Sequence, residues 1–558
     1  MIVIRINVKE SKKFKDFQYC LFIKCSFDID IVSKFRKLEF RYFHVNSDCW
    51  EIAPIHLQAV KNILINQEYQ IIGEELLQND LEDFTFKTKP YQYQIEGVKY
   101  GIDKRHWHLG DEQGLGKTKQ IIDLARYLKE IQGIEHCLVI CGVASLRWNW
   151  RDEIETHSDE TYKLLGFRSR KRSNKLYDGG TKAKLEDLEE VPEEFFWIIN
   201  IEAFREEAIV KLLKKYHENG TIGAIFIDEV HKVKNPLSAQ GKGFIKVMNT
   251  KNKNDYRVTM SGTPLVNQPM DLFIIFKSLG YEENSYTAFK NHYCIFGGYM
   301  DREIVGYRNL QELKTRLKNI QLRRLKEDVL ELPQKFPQTV YVDMYKEQEP
   351  LYKEVLAGLQ DKIDLIMLSP NPLAQFTRLR QVVGTPQLVS STVQKSAKLD
   401  KLVELVDEIA SRGEQCLIFS NWAEVVQIIV DILKPYNAMG YLAKNKNLKD
   451  TENAFKSDKN KVALVGTIKL MGTGLTFNNS NNVIFFDSPW TGADKQQCID
   501  RCHRIGQTND LNIYSLVCAN SIDEKVEMIV RRKELLSQGI VDSGNIIRMQ
   551  EIINMLLY

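Results

Sequence analysis

Between Leu109 and Thr118 the chain reads LGDEQGLGKT. Gly114 and Gly116 let the backbone turn tightly and aim N–H groups at phosphate oxygens. Lys117 supplies a cation for β- and γ-phosphates, and Thr118 a hydroxyl for Mg2+. The generic P-loop pattern has Gly where this chain has Asp111, so the match falls one position short. Ile121, Ile122, Leu124, Ala125 and Leu128 follow with helical spacing, as a phosphate site at a helix N-terminus requires.

Two later stretches complete the chemistry. AIFIDEVH ends an apolar strand in Asp228-Glu229, with His231 two residues on. An acidic pair at the carboxyl end of a strand can hold Mg2+ through Asp228 and polarise an attacking water through Glu229. QQCIDRCHRIGQ places Arg501 and Arg504 three residues apart on an expected helix, which would set both guanidinium groups on one face. Arginine stays charged and grips phosphate with a planar fork. An arginine finger is worth about 10³–10⁵ in turnover, or about 4–7 kcal/mol of barrier.

The chain has 558 residues, so at roughly 150 residues per domain three or four domains are expected. An apolar share of 43% excludes wholesale disorder. A net charge of +3 excludes a polycation but leaves room for a local basic groove. Charge interrupts the N-terminus too early for a signal peptide, and no stretch approaches about 20 uncharged apolar residues. Ten scattered cysteines suit a reducing compartment. The chain therefore reads as soluble and intracellular. Its Lys/Asn/Ile-rich usage suits the cytoplasm or nucleoid of a bacterium or phage-infected cell better than a nucleus.

Residues 1–80 read as a small α+β unit: a strand over Phe17–Phe27, a helix carrying Ile29, Val32 and Phe35, a hairpin of Phe40–His44 and Cys49–Ile52, and a closing helix from Pro54 to Leu64. Short apolar strands then alternate with helices. The expected strands are His136–Cys141, Phe195–Asn200, Ala224–Ile227 and Tyr256–Met260, then Gln415–Phe419, Lys461–Val465, Asn482–Phe486 and Asn512–Val517. Continuous apolar runs separated by helix-length segments indicate buried parallel sheets, here two α/β lobes. The boundaries are set at 81–280 for lobe one, 281–395 for helices and connections rather than a third sheet, 396–530 for lobe two, and 531–558 for a helical tail.

These residues resemble the Swi/Snf family of ATPases within helicase superfamily two, over about 470 residues in the right order. Gln94 in YQIEGV is similar to the family's nucleotide-facing Gln, and DEQGLGKT to motif I. SLRWNW (Ser145 to Trp150) resembles motif Ia, DEVH the usual DEAH, and SGTPLVN (from Ser261) motif III. LRRLKEDV is similar to the conserved segment before lobe two, CLIFSNW to motif IV, GTGLTF to motif V and DRCHRIGQ to motif VI. An Arg expected between motifs IV and V is absent from Lys444–Phe455.

The resemblance implies two RecA-like lobes clamping ATP and Mg2+. Gln94, Asp111, Gly114, Leu115, Gly116, Lys117, Thr118 and Gly474 would contact nucleotide, and Thr118 and Asp228 would hold Mg2+. Lys117, Asp228, Glu229, Arg501 and Arg504 would carry catalysis. Ser145, Trp150, His231, Ser261, Gly262, Thr263, Asn421, Thr467 and Gln507 would contact DNA or couple it to hydrolysis. The partner implied is double-stranded or branched DNA, acted on by a monomer without zinc or membrane.

Within the family, GLTFNNSNNVIFFDSPW is closer to annealing helicases and fork remodellers than to nucleosome sliders, and residues 1–80 resemble their HARP domain. Lys34, Arg36, Lys37 and Arg41 beside Tyr42 could grip phosphates, whereas Trp50 is read as core. A motor displacing proteins from duplex DNA is the alternative; a DNA-binding scaffold with a vestigial nucleotide site is the non-enzyme reading. His106 and His108, the group Cys498, Cys502 and His503, and the pair Cys137 and Cys141 are read as packing, with no transition metal assigned.

Overall fold

The computed structural model describes residues 3–10, 13, 19–25, 29–38, 41–45, 47–52, 60, 63–64, 70–72, 81, 84–169, 176–233, 235–249, 255–262, 269–297, 303–367, 371–444, 448–472, 477–537 and 549–557. Strands Val3–Glu10 (β1), Tyr19–Cys25 (β2), Arg41–His44 (β3), Cys49–Ile52 (β4) and Gln70–Ile72 (β5) form one sheet in the order β3-β4-β2-β1-β5. Helix Ile29–Phe35 (α1) contributes Ile31 and Phe35 to a core with Ile4, Leu21, Ile23, Trp50 and Ile52. Trp50 packs on Phe35 and Phe43 at ring separations of 5.9 and 5.1 Å, so it is core as expected. Strands β1 and β5 were not expected. Ile4, Ile6 and Val8 alternate with Arg5, Asn7 and Lys9, the period of a strand with one apolar face. Of the closing helix expected from Pro54, only Val60, Ile63 and Leu64 are among the described residues.

Lobe one is a seven-stranded sheet. His106–Leu109 (β6), His136–Cys141 (β7), Tyr162–Leu164 (β8), Phe196–Asn200 (β9), Ile222–Asp228 (β10), Tyr256–Met260 (β11) and Gln321–Leu322 (β12) lie in the order β12-β6-β11-β10-β7-β9-β8. Every pairing is parallel. Side chains alternate between two cores. Leu138, Ile140, Ile225 and Ile227 point to one face, and Val139, Cys141, Ala224 and Phe226 to the other. Both faces are buried, which is why the strands read as unbroken apolar runs.

Lobe two repeats the plan with Lys335–Val342 (β13), Cys416–Ser420 (β14), Met439–Tyr441 (β15), Ala463–Thr467 (β16), Asn482–Phe485 (β17) and Leu511–Cys518 (β18), ordered β13-β18-β17-β14-β16-β15. Again all pairings are parallel. The two RecA-like sheets agree with the expected fold class.

The segment 281–395 is more than helices and connections. Its strand β12 extends the sheet of lobe one and β13 that of lobe two, so the crossing lies between Leu322 and Lys335. The strand β13 escaped the reading because it is a largely exposed edge strand carrying Pro337, a residue that edge strands alone tolerate well. Helix Ile522–Ser537 runs through the boundary drawn at 530/531. Together with Met549–Leu557 it packs on Tyr352, Phe376, Leu379 and Val382, joining the tail to the helices that precede lobe two. Among the described residues no helix is long and apolar enough to cross a membrane.

Candidate active site at the lobe interface

The sheet order of lobe one brings the motifs together. Strands β6, β11 and β10 are neighbours, and at their carboxyl ends lie the Gly-rich loop, Ser261-Gly262 and Asp228-Glu229. This is where open parallel sheets present ligand sites.

The loop ends in helix Lys117–Gln132 (α3), capped by Gly116 at φ +69°, with Gly114 at φ +88°. Both angles lie in the left-handed region, which glycine enters without steric cost. A Cβ on Gly116 would sit 2.5 Å from Gln94 Nε2. Gln94, in the first turn of Gln92–Lys104 (α2), is buried and donates from Nε2 to Leu115 O at 3.3 Å. Lys117 Nζ donates to the loop carbonyls of Asp111 (2.9 Å) and Glu112 (3.3 Å). Burial pushes its ammonium pKa down, against Glu229, Asp111 and Asp228, which hold it charged.

In the acidic pair, burial and then the adjacent Glu229 raise the Asp228 pKa, while Trp150 Nε1 donates to Asp228 Oδ2 at 2.9 Å. Burial also acts to raise Glu229, but the nearby His231 and Lys117 outweigh it and keep this carboxyl ionised. His231 Nδ1 lies 3.0 Å from Glu229 Oε2 and 3.1 Å from Ser261 Oγ. Glu229 sits at φ +52°, a conformation rare for a non-glycine residue and concentrated at functional sites.

Lobe two supplies the arginines. Arg501 Nη2 donates to Gln113 Oε1 of the Gly-rich loop at 3.1 Å, across 388 residues of sequence. Helix Gly492–Ile499 stops before them, so Arg501 and Arg504 stand on the following turn, not on one helical face. The chain leaves the helix at Asp500, and Arg504 N bonds back to Cys502 O. Burial lowers both guanidinium pKa values, and for Arg504 the neighbouring Arg501 adds to it. Two adjacent buried cations are eased by an anion between them.

The residues fit ATP and Mg2+. Gln113 Nε2 is buried without a hydrogen-bond partner, which a bound polar group would satisfy. The expected Mg2+ ligands Thr118 and Asp228 are two, and Mg2+ takes only one or two protein oxygens where phosphates and water supply the rest.

One expected role is corrected and two are narrowed. Asp111 faces no open space: its carboxylate accepts from Arg324 N (3.1 Å), Arg324 Nε (3.0 Å), Arg324 Nη2 (2.6 Å) and Gln120 Nε2 (3.1 Å). It anchors the loop to the segment after β12 rather than contacting nucleotide. Trp150 is wholly buried and spends its only donor on Asp228, which favours the coupling half of its expected role over a DNA contact. Gln507 is buried, its Nε2 donating to Ser480 O and Cys502 O and its Oε1 accepting from Thr508 N and Asn509 N. It staples the turn that follows the arginines. Gln507 and Trp150 thus reach the site only through what they hold.

Ser145 is exposed at the start of Leu146–His157 (α4). Thr467 ends β16 opposite Ser420, and Asn421 Nδ2 donates to Ser488 O at 3.1 Å. Ser261 and Gly262 are buried against the loop, with Lys117 Nζ 3.3 Å from a Cβ built on Gly262. Thr263 and Gly474 lie outside the described residues. His503 Nε2 bonds Pro333 O at 2.9 Å, and Cys498 and Cys502 are buried with their thiol pKa values raised by burial.

Sequence reasoning passed over Arg324 and Lys326. Arg324 Nη1 also donates to Tyr93 O, and its guanidinium lies 5.2 Å from the Tyr93 ring centre. Lys326 crosses to lobe two, where its Nζ meets Asp500 Oδ1 at 2.6 Å.

Comparison with known proteins gives the family. The model of the SNF2-related domain matches residues 93–388, and that of the helicase conserved C-terminal domain residues 397–506. An uncharacterized ATP-dependent helicase of Mycoplasma pneumoniae is 26% identical over 89% of this chain and 47% of its own length. The putative ATP-dependent helicase/translocase YwqA of Bacillus subtilis is 27% identical over 83% and 50%, respectively. The mouse DNA annealing helicase and endonuclease ZRANB3 is 24% identical over 83% and 42%. The chain thus spans about half the length of the curated relatives it matches. The SWI2/SNF2 ATPase core domain of Sulfolobus solfataricus aligns over 83% of this chain and 92% of that one, with 25% identity and TM-score 0.36. With the SNF2-related domain covering more than half of its residues, the chain belongs to the SNF2-related family.

Proposed function

We propose that the protein is an ATP-driven motor on double-stranded DNA. The observation that carries this reading is the contact of Arg501 with Gln113, which brings the arginine turn of one lobe onto the Gly-rich loop of the other. ATP with Mg2+ supplies an electrophilic phosphorus and a metal that screens the phosphate charge. Lys117 and the backbone of Gly114 to Thr118 bind the phosphates, Asp228 and Thr118 hold the metal, and Gln94 orients the base. Glu229, kept ionised beside His231, accepts the proton of the attacking water. Arg501 and Arg504 stabilise charge on the transferring group and make hydrolysis depend on lobe closure. Ser145, Asn421 and Thr467, at the carboxyl ends of the sheets, are assigned to the DNA backbone.

The finer proposal is that branched DNA is the substrate, reannealed or regressed at forks. Its support is the HARP-like N-terminal sheet, with Tyr42 and Phe43 exposed on it and Lys34, Arg36 and Lys37 exposed at the end of helix α1 and just after it, and the annealing helicase among the relatives. Steady-state ATP hydrolysis without DNA, with single strands, with linear duplex and with a forked duplex tests both levels. Fork preference that K34E/R36E/K37E abolishes supports a fork remodeller. Equal stimulation by linear duplex leaves a general duplex motor, and indifference to DNA defeats the reading.

A further inference from the structure

The connection between the lobes does more than tether them. From the end of β12 onward, three steps bind the segment to the Gly-rich loop: Gly110 N donates to Leu322 O at 2.8 Å, Glu112 N to Arg324 O at 3.0 Å, and Lys326 N to Glu112 Oε2 at 2.8 Å. The backbone of Lys326 is therefore part of lobe one. Its side chain is not. Its Nζ donates to Asp500 Oδ1 at 2.6 Å and to His503 O at 2.7 Å, both in lobe two. The side chains are 5% and 1% exposed, so the pair is sealed from solvent. Gln496 Nε2 supports Asp500 Oδ1 from below at 2.8 Å.

Asp500 and His503 each directly precede an arginine of the site, Asp500 before Arg501 and His503 before Arg504. A single ammonium thus grips the turn at both points from which the arginines project. A Cβ on Gly114 would lie 3.1 Å from Arg504 Cβ and 3.3 Å from Lys326 Cε, so Lys326 and Arg504 pack together over the Gly-rich loop.

We infer that Lys326 is a positioning residue for the arginine turn. It is planted by lobe one into lobe two, and its pairing with Asp500 sets Arg501 and Arg504 in register with the phosphate loop. A buried ion pair suits this task because its cost is repaid only in one well-defined geometry, which makes it a register device more than a source of stability. The inference rests on the proposed ATP hydrolysis.

The test is a double-mutant cycle in the full chain, with Lys326→Met and Asp500→Asn singly and together, plus Lys326→Arg. DNA-stimulated kcat, KM for ATP and thermal unfolding are read for each. Lys326→Met and Asp500→Asn should each lower kcat at least about tenfold, the scale of 1.4 kcal/mol in the barrier, while KM changes little because Lys117 and Gln94 are untouched. The double variant should be no slower than the slower single, and Lys326→Arg should recover much of the rate. Wild-type kcat in Lys326→Met, or additive losses in the double variant, overturns the inference. So does a parallel loss of kcat and folded protein without rescue by Lys326→Arg, which makes the pair merely structural. A wild-type chain that hydrolyses no ATP refutes the proposed function itself, and is told apart by that control.

Discussion

Asp111→Asn is expected to damage the fold of lobe one before it damages nucleotide chemistry. The carboxylate is fully buried and accepts four hydrogen bonds, three from Arg324 and one from Gln120. Asparagine keeps the shape but offers one oxygen. Whichever way the amide is turned, its nitrogen faces N–H groups of Arg324, donor against donor, and Arg324 loses its counter-charge. Removing one partner of a buried pair costs about 3–5 kcal/mol. In a unit of 150–250 residues each kcal/mol moves Tm by about 2–4 °C, so a fall of roughly 6–20 °C is expected. Thermal unfolding followed by tryptophan fluorescence reads this, since Trp107, Trp150 and Trp197 are wholly buried in lobe one. Nucleotide affinity, taken well below the lowered Tm, should stay near wild type. Replacing both partners, Asp111→Ala with Arg324→Met, should be milder than Arg324→Met alone, because no buried charge is left unpaired. An unchanged Tm with collapsed nucleotide affinity would refute the reasoning and return Asp111 to the nucleotide.

Glu229→Gln should retain ATP and DNA binding while hydrolysis is lost, as filter binding and phosphate release together would record; loss of ATP binding would make Glu229 structural. Arg504→Ala should lower turnover by about 10³–10⁵ with modest change in ATP affinity, and a near-wild-type rate would remove it from the mechanism. Burial lowers the His108 pKa to about 3 while its Nδ1 pairs with Thr259 Oγ1 at 2.9 Å. The folded state therefore refuses a proton that the unfolded state takes up below its ordinary pKa of about 6.5, so stability falls as pH drops through that value toward 3. The slope reaches at most about 1.4 kcal/mol per pH unit. Denaturant titrations at pH 7 and pH 5 should show it in wild type and show it reduced in His108→Asn.

What could be read in advance follows a physical division. Strands β7, β9, β10, β11, β14, β16, β17 and β18 announced themselves because both faces of their sheets are covered, which demands unbroken apolar runs. Strand β6 did not, since its sequence HWHL carries a histidine whose burial depends on Thr259, 151 residues away. The Gly-rich loop and the acidic pair are local: their chemistry lies in adjacent residues and needs no partner to be recognised. Arg324 and Lys326 act through Asp111 and Asp500, at separations of 213 and 174 residues, and no spacing rule connects them. For Trp150 and Gln507 the choice between touching DNA and coupling it to hydrolysis stayed open for a related reason. A motif fixes which residue occupies a position, whereas only packing decides whether its polar atom faces a ligand or holds a neighbour.

The departure of Asp111 from the generic P-loop pattern then acquires a physical sense. A glycine there would leave the loop free of the chain that follows β12. An aspartate ties it to Arg324, and two residues later Lys326 leaves for lobe two. The same short stretch is thus a strand of one sheet, a brace for the phosphate loop and a grip on the arginine turn. Lobe closure cannot move that turn without loading Lys326, nor displace Lys326 without pulling on Glu112 and, through Arg324, on Asp111. If hydrolysis waits for the correct lobe geometry, as proposed above, a rigid link between loop and turn would make chemistry conditional on closure. A flexible connection of equal length would let the arginines reach the phosphates from many relative positions of the lobes, and on the proposed reading hydrolysis would no longer report lobe geometry.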